Sequence, residues 1–237
     1  MSKATTGKSR SVLLISLIVA IVGGILMVLS FFLVSVESAA LNRSFYTEQY
    51  EKLGTAQSVG VSESQLGEAT DAVLEYIQNK RLDLNLTAEI DGQTREFFTD
   101  QEKQHMVDVA NLNNRAMLFL QSFIPLVVFF LVLSYMISDK GFIVLRGCFI
   151  GILAALAVFI IIAIWAAVDF NSFWPAFHNS FFTNDLWIMD PAKSLMIRMF
   201  SAELFQNLIT KIVTFFAIMS GAALAITGVL SWKLSKR

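Results

Sequence analysis

Four long runs of apolar residues, none interrupted by a charge, dominate the pattern along the chain: 11–36, 116–138, 147–168 and 212–232. A bilayer core of about 30 Å needs roughly 20 helical residues at about 1.5 Å each. Each run is long enough. A backbone in hydrocarbon must satisfy its own polar groups, so each run is expected to be a helix. The expected fold class is membrane α-helical, a bundle of four transmembrane helices. Two polar segments, 37–115 and 169–211, separate the first run from the second and the third from the fourth.

Within 37–115 the period changes. Leu66, Ala69, Val73, Tyr76 and Ile77 recur at helical spacing and predict an amphipathic helix over 64–79. Leu82, Leu84, Leu86, Ala88 and Ile90 alternate with polar residues and predict a strand with one buried face. Asp91-Gly92 is a turn signal, and 94–98 is the expected returning strand. Together these make a small extracytoplasmic α+β cap. Thr99 and Glu102 fit a capping box, so a helix is expected to start near Asp100 and lead into the second run. His105 and Asp108 share a face of it. Run straight, that helix would hold His105 about 15 Å beyond Ala116. To act on a lipid it is expected to tilt or break near Asn113 and Asn114.

Composition sharpens the membrane reading: 55% of the residues are hydrophobic, where soluble domains run nearer 45–50%. Charge adds an orientation. The segments 1–10, 139–146 and 233–237 carry Lys3, Lys8, Arg10, Lys140, Arg146, Lys233, Lys236 and Arg237 against one acid, Asp139. All other acids fall in 37–115 and 169–211. The positive-inside rule therefore puts both termini and the loop 139–146 in the cytoplasm, and the two long polar segments outside. The net charge of −1 conceals this asymmetry. Ser38-Ala39-Ala40 would serve as a signal-peptide cleavage site, but the run 11–36 far exceeds the usual apolar core of about 7–15 residues, so it is read as an uncleaved span. No span has an ionisable residue near its middle, which argues against a channel or an ion-coupled transporter. The lone Cys148 precludes an intramolecular disulfide and reads as a buried structural thiol. Gly147 and Gly151, and the run 220–223, permit close helix packing.

The chain has two histidines, His105 and His178, one in each outer segment. Around His178 lie Phe173, Trp174, Phe177, Phe181, Phe182 and Trp187, interleaved with Asn184, Asp185 and Asp190. An anchoring belt needs aromatics, but not the embedded polar residues. The composition suits an apolar-walled pocket at headgroup depth. Imidazole titrates near pH 6.5 and can take and return a proton at neutral pH. There is no Ser-His-Asp signature, G-x-S-x-G elbow, phosphate loop or H-E-x-x-H helix. From the residues alone three readings stay open. One is an enzyme using histidine acid/base chemistry. Another is a metal-dependent membrane hydrolase or acyltransferase built on His105, Asp108 and His178. The third is a non-enzymatic membrane binding module.

The stretch Phe98-Thr99-x-x-Glu102-x-x-His105-Met106-x-Asp108-Val109 resembles the first motif of the bacterial lipoprotein intramolecular transacylase family, Lit. Phe177-His178-x-x-Phe181-Phe182-x-Asn184-Asp185-x-Trp187-x-x-Asp190-Pro191 resembles its second. The resemblance implies a multi-pass acyltransferase of the bacterial cell membrane that needs no cofactor. It would move an acyl chain from the sn-2 oxygen of a diacylglyceryl group to the N-terminal cysteine amine of a lipoprotein, giving the lyso-form. Its partners would be the diacylated lipoprotein in the outer leaflet and membrane lipid, with no nucleic acid. On this reading His105 and His178 are catalytic: His105 is expected to act as general base on the amine and His178 to protonate the leaving glyceryl oxygen or polarise the ester, with the reverse order also open. Asp108 would orient an imidazole. Asn184, Asp185 and Asp190 would fix the loop or touch substrate, and Phe177, Phe181 and Trp187 would wall the pocket. The chain departs from the family pattern at Ser194, where a further Asp is implied, and at Ser201-Ala202, where a Pro-Glu pair is.

Overall fold

The computed structural model describes residues 9–236. Lys3, Lys8 and Arg237, which contribute to the charge argument, lie outside the described residues. In chain order the elements are α1 (Arg10–Ala40), α2 (Arg43–Leu53), α3 (Thr55–Val59), α4 (Glu63–Ile77), β1 (Thr87–Ile90), β2 (Gln93–Glu96), α5 (Asp100–Ser138), α6 (Gly141–Val168), α7 (Phe170–Phe181), α8 (Leu195–Met199) and α9 (Ala202–Ser235). Helices α1, α5, α6 and α9 contain the four apolar runs and are long and apolar enough to cross a membrane. Each extends past its run. Hydropathy marks the part that suits lipid, whereas the hydrogen-bond ladder continues through flanking polar residues.

The chain forms two compact units. One comprises the described residues up to Ser35, Leu118–Ile164, and those from Ile212 on. There α1 and α6 meet backbone to backbone through glycine. A Cβ on Gly24 would lie 2.4 Å from the Cys148 carbonyl oxygen, and one on Gly151 only 2.2 Å from that of Ile21. Close approach of this kind substitutes packing for the hydrophobic force that is missing between helices in lipid. Around the contact Val28, Cys148, Ile152, Ala155 and Phe216 form a buried core. Ser16 and Ser134 tie α1 to α5 reciprocally: each hydroxyl donates to the other residue's carbonyl, at 2.8 and 2.9 Å. Gly151→Leu is expected to lower stability by about 3 kcal/mol or more, since the intruding side chain meets backbone that cannot rotate away. Gly221→Leu, whose Cβ meets nothing within 4 Å, is expected to leave the thermal midpoint unchanged. Parallel melts of the two variants check this.

The other unit comprises Val36–Met117 and Trp165–Lys211. Its α4 opens with a reciprocal capping box between Ser62 and Gln65 and buries Leu66, Ala69 and Val73, the face its periodicity predicts. Strands β1 and β2 pair antiparallel, with Ile90 opposite Gln93. Asp91 and Gly92 between them have φ of 52° and 78°, the two positive values a tight hairpin turn requires.

The strand is shorter than its alternation predicts. Leu84, Ala88 and Ile90 are buried, but Leu82 is 98% exposed. Arg81 donates to the carbonyls of Asp83 and Asn85, and Asp83 accepts from the Asn85 N–H. These local bonds hold 81–85 out of the ladder. Nor does α5 break at its asparagines. Asn113 donates to the Ile77 carbonyl and Asn79 donates to Asn114 at 2.7 Å, so both fasten the helix to the end of α4. Helices α7 and α8 start where Asp169 and Ser194 accept the N–H of Ser172 and Ile197.

Candidate active site

The first turn of α5 is set by a reciprocal cap. Thr99 N–H donates to the Glu102 carboxylate at 2.6 Å, and Glu102 N–H to the Thr99 hydroxyl at 3.3 Å. His105 stands about one turn further on. His178 lies near the end of α7. Their ring centroids are 6.2 Å apart with planes inclined by 31°. The Phe182 ring touches both imidazoles, at 5.3 and 5.6 Å. Trp187 stacks on His178 at 4.7 Å, and Trp174 meets it edge-on at 4.5 Å. The histidines are 9% and 6% exposed. They line a cavity of about 440 Å³ whose wall also includes Tyr46, Trp174, Phe177, Phe182, Trp187 and Phe205. That volume falls within the usual range for small-molecule sites.

Hydrogen bonding distinguishes the two rings. His178 Nδ1 lies 2.9 Å from the Trp174 carbonyl oxygen. A carbonyl can only accept, so Nδ1 carries the proton and, in the neutral ring, Nε2 keeps a free lone pair. Among the described residues, His105 Nδ1 is buried without a hydrogen-bond partner, and so is the Trp187 indole nitrogen. Burial, reinforced by the charge of His178 and opposed by Asp108, pushes His105 down to about 4. Burial also lowers His178, against the Trp174 hydrogen bond. Both rings are therefore neutral at pH 7.

A depressed histidine pKa means that the unfolded chain binds the proton more readily. The stabilisation is present above about pH 6.5 and is lost as pH falls towards 4. The thermal midpoint is expected to drop through that window, and less so in His105→Gln. Melts at half-unit pH steps measure it.

Of the expected site residues, His105, His178, Phe177 and Trp187 line the cavity, whereas Asp108, Phe181, Asn184, Asp185 and Asp190 do not. The Asp108 carboxylate accepts from the Asn184 amide at 2.9 Å, and Asn184 Oδ1 accepts from Leu186 N–H at 3.0 Å. This bond joins α5 to the loop after α7. Asp190 accepts from Ala192 N–H through its carboxylate and from Ser194 N–H through its carbonyl, turning the chain towards α8. Asp185 is exposed, and its carbonyl accepts the Ile188 N–H. Phe181 is 53% exposed and packs on Phe177. Among the described residues no group of three His, Cys, Asp or Glu is placed to hold a metal ion.

Phe182 and Trp174, two of the aromatics expected around a pocket, line the cavity and meet the imidazoles, and Glu102 supports the site beyond the residues expected to be catalytic or pocket-forming. Glu102 is 1% exposed. Besides the Thr99 N–H, its carboxylate accepts the Ser194 hydroxyl at 2.6 Å and the Met196 N–H at 2.9 Å. The capping pattern marks Glu102 locally; the long-range partners have no sequence signal. The Ser194 departure is coherent here, because a hydroxyl donates to a carboxylate where an ionised Asp would repel it.

The family model for the lipoprotein intramolecular transacylase Lit matches residues 21–205. No curated protein matches. Among solved structures, the in meso structure of the membrane-integral lipoprotein intramolecular transacylase Lit from Bacillus cereus aligns with a TM-score of 0.75 at 19% identity, covering 94% of this chain and 99% of that one. A variant of that protein with a histidine replaced by arginine gives a TM-score of 0.72 at 18% identity, over 94% and 92% of the two chains. One with histidine replaced by alanine gives 0.73 at 18%, over 94% and 96%. At these identities the likeness establishes the fold, four long apolar helices with a small two-stranded sheet.

Proposed function

Because this chain belongs to the Lit family of lipoprotein intramolecular transacylases, and so is an integral membrane acyltransferase, we propose that it moves the sn-2 acyl chain of a diacylglyceryl-cysteine lipoprotein to that cysteine's own α-amine. The reaction would take place in the leaflet opposite the Lys/Arg-rich segments, the outer one. Amine nitrogen, Cα, Cβ, sulfur, two glyceryl carbons, ester oxygen and acyl carbon close a ring of about eight atoms, so holding the substrate folded supplies much of the rate. An aromatic cavity with few polar groups suits that task.

The amine nitrogen attacks the acyl carbon, forming the N–C bond and putting negative charge on the carbonyl oxygen. An α-amine has a pKa of about 8, so an adequate fraction is uncharged near neutrality. His178 Nε2 takes the proton the nitrogen must lose. The resulting imidazolium returns it to the glyceryl oxygen as the C–O bond breaks. One N–H and one C–O bond are lost, and one N–C and one O–H bond gained. His105 stays neutral and offers an N–H to the oxyanion, a role that its low pKa favours and that the unpartnered Trp187 N–H can share. The observation that carries this assignment is the bond from His178 Nδ1–H to the Trp174 carbonyl, which leaves Nε2 basic.

A crossover experiment tests the reaction. Two synthetic lipopeptides are mixed with the purified protein, one with an isotopically heavy peptide and the other with a deuterated sn-2 chain. The expected result is N-acylated, lyso-form products in which each peptide keeps its own acyl chain. Hydrolysis alone, exchange of chains between peptides, or no reaction would refute the proposal.

A further inference from the structure

Away from the histidines, the start of α6 and the end of α9 enclose a second cavity of about 290 Å³. Phe142, Arg146 and Phe149 line it from α6, and Gly228, Ser231 and Trp232 from α9. The groove is open there because a Cβ on Gly228 would come within 3.1 Å of the Phe149 ring. Its two hydroxyls are already engaged, Ser231 donating to the Phe142 carbonyl and Ser235 to that of Trp232. The unengaged polar group of the wall is the exposed Arg146 guanidinium. Two further cations sit on rings of the same wall: Lys236 Nζ lies 3.7 Å from the Trp232 centroid and Lys140 Nζ 6.0 Å from that of Phe142. None of the three is ion-paired with a described acid.

We propose that this cavity is a binding site for the phosphate of an anionic phospholipid. One cation that lines the cavity and two more seated on rings of its wall call for an anion, and Arg146 suits a phosphate bidentately. They also repel the ammonium of a zwitterionic headgroup. The aromatic wall and the apolar side chains that continue the Arg146 stripe, Ile150 (36% exposed) and Leu153 (51% exposed), favour a phosphate with an acyl chain over free phosphate. Basic pockets between spans, on the side that the charge pattern makes cytoplasmic, recognise lipid headgroups in this way.

The test places the full chain in nanodiscs of equal phosphatidylglycerol and phosphatidylcholine and identifies co-released lipids by native mass spectrometry. The wild-type protein is expected to retain phosphatidylglycerol preferentially. Arg146→Ala is expected to reduce that preference about fivefold, and Arg146→Lys to keep most of it. Arg146 is exposed and has no hydrogen-bond or ion-pair partner among the described residues, so the variants are expected to melt like wild type. Micellar phosphatidylglycerol should raise the thermal midpoint and inorganic phosphate should not. Equal retention of the two lipids, an unchanged preference in Arg146→Ala, or a shift reproduced by phosphate alone would overturn the proposal.

Discussion

His178→Ala is expected to slow acyl transfer by about a thousandfold while the chain remains folded. The proposed mechanism uses this side chain twice, to remove the amine proton and then to protonate the leaving glyceryl oxygen. Losing a positioned acid/base group typically costs 10²–10⁴-fold. Asparagine at the same position has no group that takes up a proton near pH 7, so His178→Asn should be equally slow. His105→Ala is expected to lose less, about a hundredfold, because it removes one donor from the oxyanion. Both effects should fall on kcat, since the aromatic wall that holds the acyl chain is untouched. Product appearance by mass spectrometry gives the rates, and thermal melts establish that the variants fold. Transfer at the wild-type rate in His178→Ala would remove the base from the mechanism.

Glu102→Ala is the second change with a large expected effect. Its buried carboxylate accepts from Thr99 N–H, the Ser194 hydroxyl and Met196 N–H. Deleting it leaves three donors without their acceptor, two of them in buried bonds, at a cost of about 3–5 kcal/mol by analogy with breaking a buried charged network. Because Glu102 lies one turn before His105 on α5, loosening it should also displace that imidazole and lower kcat, although Glu102 touches no substrate. Ser194→Ala, which keeps two of the three bonds, should cost about 1.5–3 kcal/mol. Ser194→Asp brings a second carboxylate against Glu102 and should destabilise more than Ser194→Ala. Thermal or denaturant unfolding of the three variants ranks them.

Much of this was legible because the signals are local. Uninterrupted apolar runs locate spans, the Thr99 cap locates a helix start, and Asp91-Gly92 locates a turn. The motif around each histidine pointed to the family. What escaped the sequence depends on contacts distant along the chain. Asn113 and Asn114 look like helix-weakening residues, but their amides are taken up by Ile77 and Asn79 and the helix continues. Leu82 fits the alternation of a strand, yet Arg81 and Asp83 bind their own backbone instead. Asp108 shares a helical face with His105, and helical spacing does not disclose that Asn184 claims its carboxylate. The aromatic density of 169–211 hid α7 and α8. The assignment of base and electrophile was open for a related reason: it turns on the carbonyl of Trp174, a backbone group that carries no side-chain signature.

Nitrogen NMR of the imidazoles tests the central claim most directly. With two histidines in the chain, a ¹⁵N-histidine sample gives two spin systems, which His105→Gln assigns. The prediction is that at pH 7 both rings are neutral, that His178 carries its proton on Nδ1 with Nε2 bare, and that His105 remains neutral until the pH approaches 4. A His178 protonated on Nε2 at pH 7, or an imidazolium in either ring, would contradict it.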